Sequence, residues 1–387
     1  MNKNIDSLTI EVINSEEALM TIEDDWNHLI SESIDPSFYS TFYFVQIAWK
    51  HFNNKADRLF ILLVKRDGEI VGIAPFRISI EKMSIISIRV IRFIAEWGEG
   101  DRPKIVTTEN EALIWNKIYH FFNNEFKQWD GINLAEQSVG TPILSQGFFH
   151  NKRYYSRFVP DTVSFYISII GTWQEYLDNH KPKSRTKNWE RNRKKLYNLT
   201  ERVSVQSVED SETMPDALER FIYMEQSGWK KNYTFSVGGT ERQKKFYKDL
   251  ITELAHKKMV SIYLLKLGIQ DIGGWIMYKC KDIAYAAHTA YLPSYSKYSP
   301  GIFLLSELLR NQFGTHYKEV DLLGMQIKEG GQQYKKEWGT ETRKTIGIKI
   351  YKISYRLFLY SAGNRLKKML KKVMPFSKKR PLSIFYC

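Results

Sequence analysis

Residues 291–338 have the sequence YLPSYSKYSPGIFLLSELLRNQFGTHYKEVDLLGMQIKEGGQQYKKEW. The pattern predicts the end of a strand, a helix, a second strand at 319–323 and an aromatic, basic loop. Ser299 is a preferred N-cap residue, Pro300 suits the first helical position, and Gly301 lets a ligand approach the backbone closely. Apolar residues then recur at helical spacing. The segment is therefore a strand–helix–strand unit, for which we expect a right-handed crossover.

The start of this helix is a candidate phosphate site. The first N–H groups of a helix have no partner within it, and the helix dipole places positive charge there. We expect free N–H groups at a site made of Ser299, Pro300, Gly301, Ile302 and Phe303. The same residue types also begin helices that bind nothing, so an ordinary helix start is the alternative.

Tyr334 and Lys335 follow the second strand. A phenol and an ammonium at the end of a strand can supply a proton and a cation at the mouth of a sheet. The alternative is a solvated loop anchored by Trp338.

The composition is that of a folded protein of about two domains. Of the 387 residues, 43% are hydrophobic and 14% are aromatic, which excludes a disordered chain. Cys280 and Cys387 offer no disulfide framework and fit a reducing compartment. The N-terminus has no apolar signal-peptide core, and nowhere do about 18 uncharged apolar residues run together. We therefore expect a cytoplasmic protein.

Much of the positive charge lies in one segment. The net charge is +14, but residues 346–387 hold 11 Lys and Arg and no Asp or Glu, which leaves +3 for the rest. Leu, Phe, Tyr, Ile and Met alternate with these cations, a pattern that suits an anionic membrane surface. A final helix packed on the body with a frayed basic end is the alternative. No nucleic-acid motif accompanies the charge, so we do not expect DNA binding.

Two halves repeat one plan. Two helical patterns precede a strand, a turn and a strand at 59–79, and the same order recurs at 214–279. This predicts an α/β protein with an N-terminal domain at 1–165, a C-terminal domain at 166–345 and the basic tail at 346–387. Between the halves, residues 181–202 form a cationic segment that is predicted to be helical from Ser184 onward. It is either a solvated face or an electrostatic collar that draws an anionic ligand toward the cleft between the domains.

With these motifs in place, the chain resembles the CelD/BcsL-type acetyltransferases of the GNAT superfamily, which are related to FemAB and FemX. The resemblance covers roughly residues 26–338. It is carried by Glu225-Gln226-Ser227-Gly228-Trp229-Lys230, Tyr298-Ser299-Pro300-Gly301, Asp321 with Gly324, Tyr334-Lys335, and Asp101 after Trp97-Gly98-Glu99-Gly100.

The resemblance implies tandem GNAT-like domains, each a mixed, mostly antiparallel sheet flanked by helices. It implies an acyl-coenzyme A donor, most simply acetyl-coenzyme A, bound where two parallel strands splay, and no metal. Residues expected to bind substrate are Trp229, Lys230, Asp321 and Asp101. The alternative for Trp229 is a core or cleft-wall aromatic, and Asp321 could instead orient a neighbour.

Acyl transfer to an amine needs a base, a polarised carbonyl and a proton for the leaving thiolate. Tyr334 is the candidate proton donor, and Lys335 would balance charge or hold the acceptor. Glu225 and His288 are the candidate bases. A lone His in a strand is often structural, and a carboxylate near a helix end often caps or pairs.

The leading function is N-acyl transfer from acyl-coenzyme A to an amino group of a sugar or cell-envelope precursor. FemAB kinship leaves aminoacyl-tRNA open as the donor. A catalytically silent GNAT pair at the inner membrane surface is the third hypothesis.

Overall fold

A computed structural model of the chain describes residues 7–83, 86–96, 100–180, 183–199, 201–228, 231, 236–325, 333–355 and 357–361. The first half contains β1 (Leu8–Ile13), α1 (Glu16–Met20), α2 (Glu23–Glu32), α3 (Phe42–Phe52), β2 (Arg58–Arg66), β3 (Glu69–Met83), β4 (Ile86–Phe93), β5 (Val106–Thr107), α4 (Glu111–His120), β6 (Gly131–Ser138), α5 (Gly147–His150) and β7 (Tyr154–Ser168). The second half contains α6 (Trp173–His180), α7 (Lys183–Tyr197), β8 (Val203–Val208), α8 (Met214–Ser227), α9 (Glu241–His256), β9 (Val260–Leu267), β10 (Gln270–Cys280), β11 (Ile283–Tyr291), α10 (Pro300–Gln312), β12 (Glu319–Met325), α11 (Gln333–Trp338) and β13 (Glu341–Lys352).

The two halves have the same strand order. In the first, β1 to β4 pair antiparallel in succession and β6 joins β4 in parallel. In the second, β8 to β11 pair antiparallel and β12 joins β11 in parallel. The predicted hairpins are β2–β3 and β9–β10, and the turn of the first uses Asp67 and Gly68, both at positive φ. The predicted α/β class is confirmed.

The two halves are joined because each contributes one long strand to the sheet of the other. β7, from the first half, pairs with β12, while β13, from the second half, pairs with β6. The two strands also pair with each other, from Tyr154 opposite Lys352 to Tyr166 opposite Glu341. One sheet of the described residues therefore runs through both halves, in the order β1-β2-β3-β4-β6-β13-β7-β12-β11-β10-β9-β8, with β5 beside β3.

The expected domain limits fall inside these exchanged strands. The limit after residue 165 lies in β7, and the limit after residue 345 lies in β13. Residues 346–352, expected in the basic tail, are strand because Ile346, Ile348 and Ile350 alternate and are buried in the core that also contains α4. Residues 362–387 of the tail lie outside the described part of the chain. The division into 1–165, 166–345 and 346–387 stays a prediction.

Helices cover both faces of the sheet. On one face a single apolar core joins α2 and α3 to α8 and α9, and the ring of Phe38 stacks on that of Tyr278 with centroids 4.4 Å apart. On the other face, α4 and α5 cover the first half, and α6, α7 and α10 cover the second. The shared core and the exchanged strands hold the halves in one arrangement.

Candidate functional site

The parallel strands β11 and β12 separate soon after they meet. They pair only from Ile283 opposite Glu319 to Tyr285 opposite Asp321. Beyond this point β12 shifts register against β7 between Asp321 and Gly324, and Leu323 has a φ of +64°. The edge of β11 from residue 286 onward therefore has no strand partner on the β12 side among the described residues.

A cavity of about 520 Å³ lies on this part of β11. It brings together the start of α10, the end of α8 and the first turn of α11. Its lining includes six of the residues expected at the site, and these are Glu225, Ser299, Pro300, Gly301, Ile302 and Tyr334. Segments more than 100 residues apart in the sequence thus meet at one cavity.

The N–H groups at the start of α10 are mostly occupied, contrary to expectation. Ser299 has a left-handed conformation with φ of 55°, and its N–H donates to the carbonyl of Ser296. The N–H groups of Ile302 and Phe303 both donate to the Ser299 carbonyl at 3.0 Å. Pro300 has no N–H, so Gly301 is the one residue of 299–303 whose N–H has no partner within the described chain. The expected row of free amides is a single amide.

The absence of a side chain at Gly301 lets a ligand approach the backbone closely. A Cβ at this position would lie 3.3 Å from the hydroxyl oxygen of Thr289, so a side chain would take up space at the cavity wall. The Gly301 carbonyl accepts a hydrogen bond of 2.9 Å from the indole N–H of Trp275, which fixes the backbone here. The cavity size, the free amide and the open strand edge together fit a ligand with a diphosphate and a narrow amide-bearing arm.

The side chain of Tyr334 lines the cavity. Its ring packs edge-on against that of Trp275, with centroids 6.0 Å apart. Burial raises the pKa of Tyr334 above its ordinary value, so the hydroxyl stays protonated at neutral pH. A phenol that keeps its proton is suited to donate it to a developing anion.

Glu225 lines the same cavity from the last turn of α8. It is 2% exposed, and its Oε2 accepts a hydrogen bond of 3.0 Å from the N–H of Gly238. Gly228, at the C-terminal end of α8, leaves space beside it, since a Cβ there would meet nothing closer than 3.7 Å. A buried carboxylate at the wall of a cavity can accept a proton from a bound amine.

His288 and Lys335 do not line this cavity. The ring of His288 packs edge-on against Tyr247 of α9 at 4.9 Å and against Tyr278 at 6.1 Å, on the sheet face opposite to α10. The ammonium of Lys335, which is 6% exposed, donates to the carbonyl of Gly324 at 2.8 Å. Of the two candidate bases, the geometry favours Glu225.

Asp101 and Asp321, both expected to bind substrate, are joined by Arg102. The Arg102 guanidinium lies 2.5 Å from an oxygen of each carboxylate. Asp101 also accepts the N–H of Gly324 at 2.7 Å, and Asp321 accepts the N–H of Leu323 at 2.7 Å. Although burial opposes the charged form, Asp321 and Asp101 raise the pKa of Arg102 well above its ordinary value. The two carboxylates thus link a loop of the first half to β12.

More charged groups surround this link. Arg343 Nη1 lies 3.4 Å from an oxygen of Asp321, and Glu136 accepts the backbone N–H of Arg102 at 3.0 Å. Burial, with the charge of Asp101, raises the pKa of Glu136 to about 8. A cavity of about 180 Å³ lies beside them. Sequence reasoning missed Arg102, Glu136 and Arg343, and the adjacent pair Asp101-Arg102 is the one local signal.

The cationic segment between the halves packs beside the site. α7 begins at Lys183, one residue before the predicted start, and Asn192 donates from its amide to the Ser299 hydroxyl at 3.2 Å. Trp189 donates to the Ser306 hydroxyl at 2.9 Å, which seats α7 on α10. Trp229 and Lys230, the other residues expected to bind substrate, lie outside the described residues.

Comparison with known proteins agrees with this geometry. Residues 183–336 match the family model described as an acetyltransferase (GNAT) domain. This segment is thus similar to the GNAT acetyltransferase domain. The chain is accordingly an acyltransferase enzyme, and a GNAT fold generally takes its acyl group from acyl-coenzyme A. No curated protein matches the sequence.

Three solved structures are similar to this chain over most of its length. FemX is similar with a TM-score of 0.60 and 11% identity, over 88% of this chain and 98% of its own. The C-terminal domain of a putative lysylphosphatidylglycerol synthetase from Agrobacterium fabrum has a TM-score of 0.52 and 9% identity, over 91% and 96%. L-PGS from Bacillus licheniformis has a TM-score of 0.50 and 12% identity, over 90% and 96%. At such identities the likeness shows the fold, which spans both halves.

Two further observations concern the described residues alone. They contain no group of three or more His, Cys, Asp and Glu side chains that could hold a metal ion. None of their helices combines the length and the apolar character needed to span a bilayer.

Proposed function

We propose that the protein transfers an acyl group from acyl-coenzyme A, most simply acetyl-coenzyme A, to an amino group of a sugar or cell-envelope precursor. The observation that carries the proposal is the cavity on β11, where Tyr334, Glu225 and the free amide of Gly301 meet within the GNAT domain. We further propose that the chain is of the CelD/BcsL type, on the order of the motifs from Glu225 to Trp338.

The donor would lie between α10 and the open edge of β11. Gly301 would give its N–H to the diphosphate, and Ser299, Pro300, Ile302 and Phe303 would shape the surrounding helix start. The backbone of β11 beyond residue 286 would hydrogen-bond the amides of the pantetheine arm. When bound, the donor supplies a thioester carbonyl open to attack.

Tyr334 and Glu225 would divide the proton transfers. Glu225 takes a proton from the acceptor amine as its nitrogen forms the new C–N bond, and Tyr334 gives a proton to the sulfur as the C–S bond breaks. Solvent then returns a proton from Glu225 to Tyr334, which leaves an amide and a free thiol. Lys335 would hold the Gly324 carbonyl, and so the end of β12, in place.

The acceptor side would be the cleft between the halves. Arg102 and Asp321 line the cavity of about 180 Å³ there, Asp101 contacts Arg102, and Trp229 and Lys230 follow the end of α8 in the sequence. We propose a cytoplasmic enzyme that reaches the inner membrane surface through residues 346–387, where envelope precursors are assembled. The similarity to the C-terminal domain of a putative lysylphosphatidylglycerol synthetase supports an envelope-related acceptor.

The test is a product screen. The protein is incubated with several acyl-coenzyme A donors and amino-sugar nucleotides, and mass spectrometry looks for the mass of an added acyl group. The Tyr334→Phe variant is the matched control. Absence of both product and free coenzyme A for every acceptor, with no saturable binding of acetyl-coenzyme A by calorimetry, would refute the proposed donor.

An aminoacyl transferase that uses aminoacyl-tRNA is the second candidate. It is favoured by the similarity to FemX over 88% of the chain and by the cationic helix α7 beside the donor cavity. Product formation that requires charged tRNA and stops on treatment with ribonuclease would establish it in place of acyl-coenzyme A.

A further inference from the structure

One face of the paired strands β7 and β13 carries an unusual mixture of side chains. Tyr155 pairs with Tyr351 and Arg157 with Lys349, and the Ile353 N–H donates to the Arg153 carbonyl at 2.9 Å. Because side chains alternate along a strand, residues at every second position share a face. We call this the ribbon face, and its members are Arg153, Tyr155, Arg157, Val159, Lys349, Tyr351 and Ile353.

The apolar members of the ribbon face are exposed. Tyr155 is 52% exposed, Val159 is 40% exposed and Ile353 is 64% exposed. β12 pairs with β7 only from Val163 onward, so no described strand flanks β7 at residues 154–160 on that side. Exposed apolar side chains beside an open strand edge indicate a surface that another molecule covers.

The start of the tail continues this surface. Tyr360 donates to Glu81 at 2.9 Å, and Glu81 lies on the face of β3 opposite to Ile78, which is in the core under α4. Residues of the ribbon face likewise alternate with Ile348 and Ile350 of that core. The tail therefore begins on the same side of the sheet. There Tyr355 is 76% exposed and Phe358 is 66% exposed.

The charge of the ribbon face indicates which kind of molecule could bind there. Arg153, Arg157 and Lys349 form no ion pair within the described residues. Residues 362–387 add eight Lys and Arg and no Asp or Glu, and the whole chain carries +14. Like charges repel, so neither the rest of the tail nor a second copy of the chain suits this face. The occupant is anionic.

We propose that the ribbon face, with Tyr355 and Phe358, docks on the surface of an anionic lipid bilayer. Cations beside aromatic and aliphatic side chains match the layers of such a surface, since the cations contact lipid phosphates while the apolar tips enter the headgroup region. RNA would use the cations and the tyrosine rings but gives exposed Val159 and Ile353 no partner. The proposal places the body of the enzyme, and not only its tail, on the membrane.

Co-sedimentation of the full chain with vesicles tests this. Vesicles of phosphatidylglycerol with phosphatidylcholine are compared with vesicles of phosphatidylcholine alone, and binding to the first alone is expected. Each cation near an anionic leaflet contributes about fivefold to binding. The variant Arg153→Glu, Arg157→Glu, Lys349→Glu should therefore bind at least about a hundredfold more weakly. A control with the same change in net charge, Lys245→Glu, Lys248→Glu, Arg310→Glu, alters exposed residues of α9 and α10 and should keep most of the binding.

A second variant separates lipid from RNA. Tyr155→Ser, Val159→Ser, Ile353→Ser keeps every charge and should also weaken vesicle binding by about tenfold or more. Wild-type vesicle binding by either triple variant would overturn the proposal. Tight binding of RNA that the glutamate variant abolishes, without binding to the anionic vesicles, would assign the face to RNA instead. Binding of acetyl-coenzyme A, measured by calorimetry on the same variants, should not change, so this test stands apart from that of the proposed function.

Discussion

Arg102 Nη2 lies 2.5 Å from Asp321 Oδ2, and this contact joins a loop of the first half to β12 in the second. The carboxylate is 2% exposed, so it is removed from water and depends on its partner. Losing one member of such a pair leaves a buried charge uncompensated.

Arg102→Ala should accordingly lower the free energy of unfolding by about 3–5 kcal/mol. Urea unfolding followed by circular dichroism measures the change. Lys65→Ala is the control, because Lys65 and Glu11 pair in the open, with exposed fractions of 27% and 52%. Its effect should stay below about 1 kcal/mol. Equal effects of the two substitutions would contradict a structural role for the buried pair.

Glu136 should make stability fall as pH rises. Its pKa is raised from 4.5 to about 8 in the folded protein, so between these values the folded state binds the proton and the unfolded state does not. This contribution is fully present below about pH 4.5 and is lost as pH rises through about 8. Glu136→Gln stays neutral and should lose less stability than the wild type from pH 5 to pH 8.

Unfolding midpoints at several pH values within that window check this expectation. Parallel curves for the wild type and the variant would show that Glu136 titrates normally in the folded protein.

Tyr334→Phe should lower kcat by about 10²–10⁴-fold while leaving KM for the acyl donor nearly unchanged. The phenyl ring keeps the edge-on contact with Trp275 and removes only the hydroxyl. Steady-state kinetics separate the two constants. Tyr223→Phe, which alters a residue 69% exposed on α8, is the matched control. A Tyr334→Phe enzyme with full kcat would assign the proton to another group.

Glu225→Gln should remove most activity, because the amide cannot accept a proton from the acceptor amine. Gln can still accept the Gly238 N–H, so the fold is expected to persist. His288→Asn changes the other candidate base, which packs on the opposite face of the sheet, and should keep near-normal activity. The reverse result, in which only His288→Asn is inactive, would exchange the two roles.

Gly301→Val should weaken donor binding by about tenfold or more, which is about 1.4 kcal/mol. A side chain there meets Thr289 at 3.3 Å and occupies the cavity wall. Isothermal calorimetry with acetyl-coenzyme A measures the affinity. Gly140→Val is the control, since a Cβ at Gly140 meets nothing within 4 Å. Unchanged affinity for Gly301→Val would move the donor away from the start of α10.

Local patterns predicted most elements around the site. Ser299 and Pro300 marked the start of α10, and the expected strand at 319–323 lies within β12. The helix starting near 214 and the hairpin after it were also correct, because apolar spacing and turn residues act over a few positions. The strand–helix–strand unit accounts for β11, α10 and β12 at the cavity, whereas the position of α8 beside them depends on the tertiary fold.

Long-range pairing could not be predicted in this way. Nothing near β13 indicates that its partner is β7, because the paired residues are 175 to 198 positions apart in the chain and pairing depends on the completed sheet. The same holds for Arg102, whose partner Asp321 lies 219 positions along the chain. The prediction of several free amides at 299–303 was wrong for a local reason. Ser299 has a left-handed conformation, and its carbonyl accepts the N–H groups of Ile302 and Phe303.

The exchange of β7 and β13 between the two halves limits how the chain can be divided into fragments that fold. A cut between Ser168 and Trp173 would give two fragments, each lacking the strand that completes its own half. Neither fragment would be expected to persist alone, yet the pair should reassemble when both are synthesised in one cell. A duplicated ancestor that acquired this exchange could no longer return to a free-standing single unit.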